Sequence, residues 1–158
     1  MIDADASPSG YIAWYNHYTE SSHIRAVRPV PKNEKFGVQR MEMLAIYFAL
    51  ADNLRDIGRR CPRHKKRRVV IAVRSDSKST VEQLLGLSHI RDALMRRVFF
   101  AIANLVARVR YTIIFDHLER FYNVAGLLLE HWKMKEGKGK MMGNFNALPA
   151  IMPAALCV

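Results

Sequence analysis

Met1-Ile2-Asp3-Ala4-Asp5-Ala6-Ser7-Pro8-Ser9-Gly10 opens the chain with an apolar run that carries two carboxylates and ends in a turn. Met1 to Ala6 reads as a short strand, and Ser7-Pro8-Ser9-Gly10 as the turn that closes it. Tyr11 to Tyr18 is rich in aromatics and suits a second strand. Glu20-Ser21-Ser22 turns into a third, His23 to Val30. Three strands in hairpin succession predict an antiparallel meander. Alternation puts Trp14 and Tyr18 on one face of the second strand and Tyr15 on the other, so on a half-exposed sheet only one set is core. The other set is free to stack on sugar and base.

Pro29 to Gly37 reads as a connecting loop, and Gln39 to Arg55 as a helix that is apolar almost all round from Met41 to Ala51. Such a helix is buried on more than one side. Gly58 is expected to stop it, and Arg59 to Arg68 to form a basic loop. Val69 to Val73 is a β-branched run of the kind found in a strand covered on both faces. Ser79 to Leu87 and Ser88 to Arg108 follow as helices, Tyr111 to Phe115 as a fifth strand, and Phe121 to Trp132 as a closing helix. The order predicts an α/β domain: one five-stranded mixed sheet, a three-strand meander plus two further strands, with helices on its faces.

That domain spans residues 1–132. Residues 133–158 form a basic connector, Lys133 to Lys140, and a tail, Met141 to Val158, with no charged side chain and two prolines. A tail of that composition packs on its own domain or on a partner chain, where it would mediate self-association; the sequence leaves both open.

With 158 residues, one domain accounts for the chain. Twenty-five Lys and Arg against fourteen Asp and Glu leave a net charge of +11, which favours polyanions, nucleic acid before an acidic membrane surface. Cys61 and Cys157 form no CxxC pair, so a zinc framework is not supported. They read as free thiols of a cytoplasmic protein, with a bridge between them the other possibility. Asp3 and Asp5 interrupt any leader at once, and no apolar run is long enough for a bilayer. Neither the elbow of a Ser-His-Asp hydrolase nor a Gly-rich Lys loop is present.

Four acidic residues stand next to apolar sequence: Asp3 and Asp5 on one face of the first strand, Glu42 alone among apolar neighbours on the first helix, and Asp76 just past the fourth strand. Each has a structural account by itself. Asp3 and Asp5 suit a frayed terminus, Asp76 a helix cap, and Glu42 the helix dipole. Together they suggest more, because carboxylates packed against core repel and desolvate one another unless a cation lies between them. Oxygen-only ligands select a hard ion, magnesium or manganese.

Three stretches resemble the ribonuclease H family, type 1 branch. Ile2-Asp3-Ala4-Asp5-Ala6-Ser7 is similar to the family's first strand, which ends in Asp-Gly-Ser or Asp-Ala-Ser. Gln39-Arg40-Met41-Glu42 is close to its Asn-Arg-Met-Glu helix start. Val69 to Val73 followed by Ser75-Asp76-Ser77 resembles its strand ending in Asp-Ser. The likeness covers roughly residues 1–130. The family's last element, a His loop, an Asn and an Ala-Asp pair, is matched by His117, Asn123 and Ala125. Its Asp is absent: Gly126 follows Ala125, and a match slid by one brings Leu127 instead.

The resemblance implies an endonuclease that cuts the RNA strand of an RNA/DNA hybrid with two magnesium or manganese ions. Asp5 would bridge the ions, and Glu42 and Asp76 would each fix one. Glu130, one turn further along the helix, ranks first for the fourth carboxylate, ahead of Asp116 and Asp3, unless His117 or Asn123 fills part of the role through water. His117 is either the proton shuttle or a plain loop histidine. Substrate contacts fall to Asn16, Gln39 and Asn123, and to Arg63, Lys65 and Lys66 of the basic loop, where phosphate contacts would be salt-sensitive. The same residues fit two rivals: a weak or inactive nucleic-acid-binding protein that lost the fourth carboxylate, and a nuclease of the same superfold acting on other DNA or RNA structures.

Overall fold

The structure, a computed structural model, describes residues 1–29, 31, 33–60 and 69–136. Strands β1 (Ile2–Ser7), β2 (Tyr11–Asn16) and β3 (Ser21–Ala26) are followed by α1 (Gly37–Arg60), β4 (Val70–Ser75), α2 (Lys78–Leu84), α3 (Ala93–Ala107), β5 (Thr112–His117), a 3-10 turn at Arg120–Tyr122 and α4 (Val124–Glu136). They form one five-stranded sheet in the order β3-β2-β1-β4-β5. The meander β1-β2-β3 is antiparallel, while β1 pairs with β4, and β4 with β5, in parallel.

The period-2 alternation of β1 divides its side chains between two layers. Ile2 and Ala4 join Ile12, Trp14, Ile71 and Val73 in a core under α1 and α3, filled by Met43, Ile46, Leu50, Met95 and Ile102. Asp3 and Asp5 face the other way, beneath the start of α4, whose Ala125 and Leu129 pack on Ala13. Because both faces of the meander are covered, Trp14 and Tyr15 are both buried, and the expectation that only one aromatic set is core fails. Tyr18 lies in the turn after β2 and is exposed.

Several boundaries differ from the sequence reading. Helix α1 does not stop at Gly58 but runs on to Arg60, because Leu54 and Ile57 still pack into the core. β3 ends at Ala26, where the Val27 amide leaves the ladder to donate to the Gly10 carbonyl at 2.7 Å. Gly10 has φ +94, and a Cβ there would meet the Val27 carbonyl oxygen at 2.7 Å, so only glycine fits that turn. Helix α3 begins at Ala93 rather than Ser88. Asp92 caps it, accepting from the Met95 amide at 2.8 Å while Arg40 of α1 grips the same carboxylate at 2.6 and 2.9 Å. The closing helix begins at Val124, and it continues through Lys133–Glu136, residues expected in the connector. No helix among the described residues is long and apolar enough to cross a membrane. The rest of the connector, the apolar tail, Cys61, Cys157, Arg63, Lys65 and Lys66 lie outside the described residues.

Candidate metal centre

The β1–β4 register pairs Asp3 with Arg74, so two residues further along Asp5 comes level with Asp76. Glu42 approaches from the second turn of α1. One oxygen from each of Asp5, Glu42 and Asp76 lies within 4.8 Å of the others. Asp5 and Glu42 are buried, and Asp76 is half-buried.

The electrostatic consequence is a surplus of negative charge. Burial, then the field of Asp76, pushes the Asp5 carboxyl up to about 7, although a hydrogen bond from the Ala6 amide opposes this. Glu42 is raised well above its ordinary value by burial first, then by Asp5 and Asp76. Its Oε2 is buried with no hydrogen-bond partner. A buried acceptor aimed at two further carboxylates fits a cation, and an all-oxygen donor set fits a hard divalent one.

The single-residue accounts do not hold at these positions. Glu42 lies beyond the first turn of α1, which contains no acid. Asp76 does not cap α2, whose N-cap is Ser77, with its hydroxyl 2.8 Å from that of Thr80. Instead Asp76 Oδ1 accepts from Asn123 Nδ2 at 3.3 Å, and the same amide donates to the Ala4 carbonyl at 3.2 Å. Asn123 Oδ1 accepts from the Gly126 amide at 3.4 Å. Fully buried, Asn123 ties the start of α4 to Asp76 and to the β1 backbone.

Asp3 is no frayed terminus either. It is wholly buried and spent elsewhere: Arg74 donates to Oδ1 at 2.8 Å, His17 lies 2.8 Å from Oδ2, and the Val124 amide donates to Oδ2 at 3.3 Å. A carboxylate neutralised by a guanidinium and a helix N-terminus is not available to a metal. Glu130 does not join the cluster. It is half exposed and paired with Arg120 at 3.0 Å, beyond the first turn of α4. Asp116 is exposed on β5, opposite Arg74.

His117 ends β5 opposite Ser75, one residue from Asp76, and is exposed. Gln39 is half-buried, one turn before Glu42. Asn16 is buried, its amide donating to Asn53 at 2.6 Å and its oxygen accepting from the Tyr18 amide at 2.9 Å.

The sequence reading missed Arg120. Its guanidinium is held above the ordinary arginine range by the hydrogen bond to Glu130, and beyond that by the fields of Asp5 and Asp76. The available signal was its place three residues before Asn123. At the position of the missing acid, a Cβ on Gly126 would stand 3.0 Å from Asp5 Oδ2. Gly126 is thus kept small by contact with Asp5, whereas Leu127 beside it is half exposed.

The fold is the ribonuclease H-like fold, with the carboxylates gathered where β1, β4 and α1 converge. The chain is similar to the N-terminal RNase H domain of rv2228c from Mycobacterium tuberculosis, with 16% identity, TM-score 0.57, and 81% of this chain and 92% of that one covered. RNase H1 from the halophilic archaeon Halobacterium salinarum NRC-1 gives 16% identity and TM-score 0.58 over 85% and 95% of the two chains. LC11-RNase H1, solved in complex with an RNA/DNA hybrid, gives 19% and 0.55 over 78% and 86%. No family model and no curated protein matches the sequence.

Proposed function

We propose that this protein is a divalent-metal-dependent endonuclease that hydrolyses the RNA strand of RNA/DNA hybrids. The observation that carries the reading is the packing of Asp5, Glu42 and Asp76 with an unpartnered buried oxygen on Glu42. The solved complex of LC11-RNase H1 with an RNA/DNA hybrid, the same fold, supports the choice of substrate class.

Asp5, Glu42 and Asp76 would hold magnesium or manganese, which when bound supplies Lewis acidity at the phosphate and a more acidic water. The protein's own contribution is placement and charge. Asn123 fixes one oxygen of Asp76, and the Ala6 amide supports Asp5 and Glu42. His117, exposed at the strand end opposite Ser75, would move a proton between solvent and the reacting oxygens. Arg120 offers guanidinium donors to phosphate beside the carboxylates.

The reading is tested by incubating a labelled RNA/DNA hybrid with the protein and magnesium, manganese or chelator. Metal-dependent cuts confined to the RNA strand, absent in Asp5→Asn, are expected. A second reading, a binding protein of this fold without activity, is favoured by the lack of an acid at Gly126 and Leu127. It predicts salt-sensitive binding of an intact hybrid, with or without metal.

A further inference from the structure

On the turn that leads into Asn123, whose side chain bonds Asp76, the chain exposes two large aromatic rings. Phe121 is 78% and Tyr122 56% exposed, on the 3-10 turn between β5 and α4. Their centroids are 5.4 Å apart and the rings are nearly perpendicular, so each leans on the other and neither enters the core. The turn is pinned at both ends: the Tyr122 amide donates to the Glu119 carbonyl at 2.9 Å, and the Asn123 amide to the Arg120 carbonyl at 3.1 Å. The next side chain, Asn123, holds Asp76. Two exposed rings, outside the hydrophobic clusters of the described residues, thus sit on a fixed turn immediately before Asn123, the buried partner of Asp76.

From this geometry we propose that Phe121 and Tyr122 form a stacking platform for unpaired nucleotides that continue from the duplex at the Asp5–Glu42–Asp76 centre. The inference rests on the reading that nucleic acid occupies that centre, and it deepens that reading by naming the substrate class: hybrids with a single-stranded extension or junction. Paired bases stack on one another and present only their edges and sugars, whereas splayed bases offer a π-face to an aromatic ring. Arg120, the first residue of the same turn, is a cation at the foot of the platform where the phosphates of such a strand would run. The overall charge of +11 favours a polyanion over an apolar protein partner.

The test uses the full-length chain in chelator, so that nothing is cut. Affinity is measured for a blunt RNA/DNA hybrid and for the same hybrid with a five-nucleotide overhang carrying 2-aminopurine. Wild type is predicted to bind the overhang form about tenfold more tightly, with a change in 2-aminopurine emission on stacking. Phe121→Ala/Tyr122→Ala should bring the ratio close to one and remove the spectral change, while leaving affinity for the blunt hybrid unaltered. Phe121→Tyr should keep the preference. Equal affinities in wild type, a preference that survives the double substitution, or no binding of either hybrid would overturn the proposal. So would self-association of wild type that the double variant abolishes without any effect on nucleic acid. Cleavage of the blunt hybrid with manganese is scored in parallel. Cleavage without overhang preference sinks the platform alone, and overhang preference without cleavage sinks the nuclease reading alone.

Discussion

At the scale of single residues, the cluster of Asp5, Glu42 and Asp76 leaves a signature of its own in chelator. An aspartate in an unfolded chain ionises near 3.8, whereas Asp5 in the folded chain holds its proton up to about 7. Between those values the unfolded state releases a proton that the folded state keeps. The contribution of Asp5 is therefore fully present below about pH 4 and is lost as pH rises to about 7, a change on the order of a few kcal/mol. Thermal unfolding in chelator from pH 4 to 8, taken as the difference between wild type and Asp5→Asn, should show that decline, and manganese should cancel it. Glu42→Gln replaces a buried carboxyl with a neutral amide of the same shape, so in the alkaline range, where that carboxyl must ionise, it should stabilise the protein in chelator, and it should abolish stabilisation by manganese. At the missing acid, Gly126→Asp is expected to destabilise, since its Cβ would press on Asp5. Leu127→Asp, from an exposed position, should fold normally and lower the manganese concentration needed for cleavage. Asp5, Glu42 and Asp76 were legible because a carboxylate amid apolar sequence calls for a partner. The occupation of Asp3 was not, because Arg74 is 71 residues away and only the sheet register brings it there.

At the scale of elements, the ends of helices do the positioning. Asp92 caps α3 and receives two hydrogen bonds from Arg40, which hold the Asp92 carboxyl down at about 2; Arg40 also pairs with Glu34. Asp92→Ala should cost about 2–4 kcal/mol in chemical denaturation, since it removes the cap and leaves a guanidinium without its main partner. Asn123→Ala should cost about 1–2 kcal/mol as a lost cap and buried hydrogen bonds, and it should also weaken metal binding because Asp76 is released. The pattern of elements was readable from β-branched runs, alternation and turn residues. Their ends were not, for reasons specific to each. Gly58 is carried inside α1 by the burial of Ile57, and α3 starts where a distant arginine supports its cap. The closing helix starts only at Val124, after Asn123, whose side-chain oxygen accepts from the Gly126 amide, and the stretch before it forms a 3-10 turn.

At the scale of the whole molecule, charge and topology act together. Parallel pairing of β1 with β4 sets two carboxylates side by side, and α1, crossing the sheet, adds the third. On the proposed function, a chain of net charge +11 would meet a hybrid chiefly through its phosphates, so affinity for the hybrid should fall about tenfold or more between 50 and 200 mM salt. The measurement is fluorescence anisotropy across that range, and a flat profile would count against phosphate recognition. Fold class was legible at this scale because the order of strands and helices admits few topologies.

The most direct test of the centre itself is calorimetric titration of manganese into the full-length protein near pH 8, beside Asp5→Asn and Glu42→Gln. Saturable binding in wild type, and its loss in both variants, is the predicted result. Absence of saturable binding in wild type, or binding that survives both substitutions, would contradict the assignment of Asp5, Glu42 and Asp76 as a divalent-metal site.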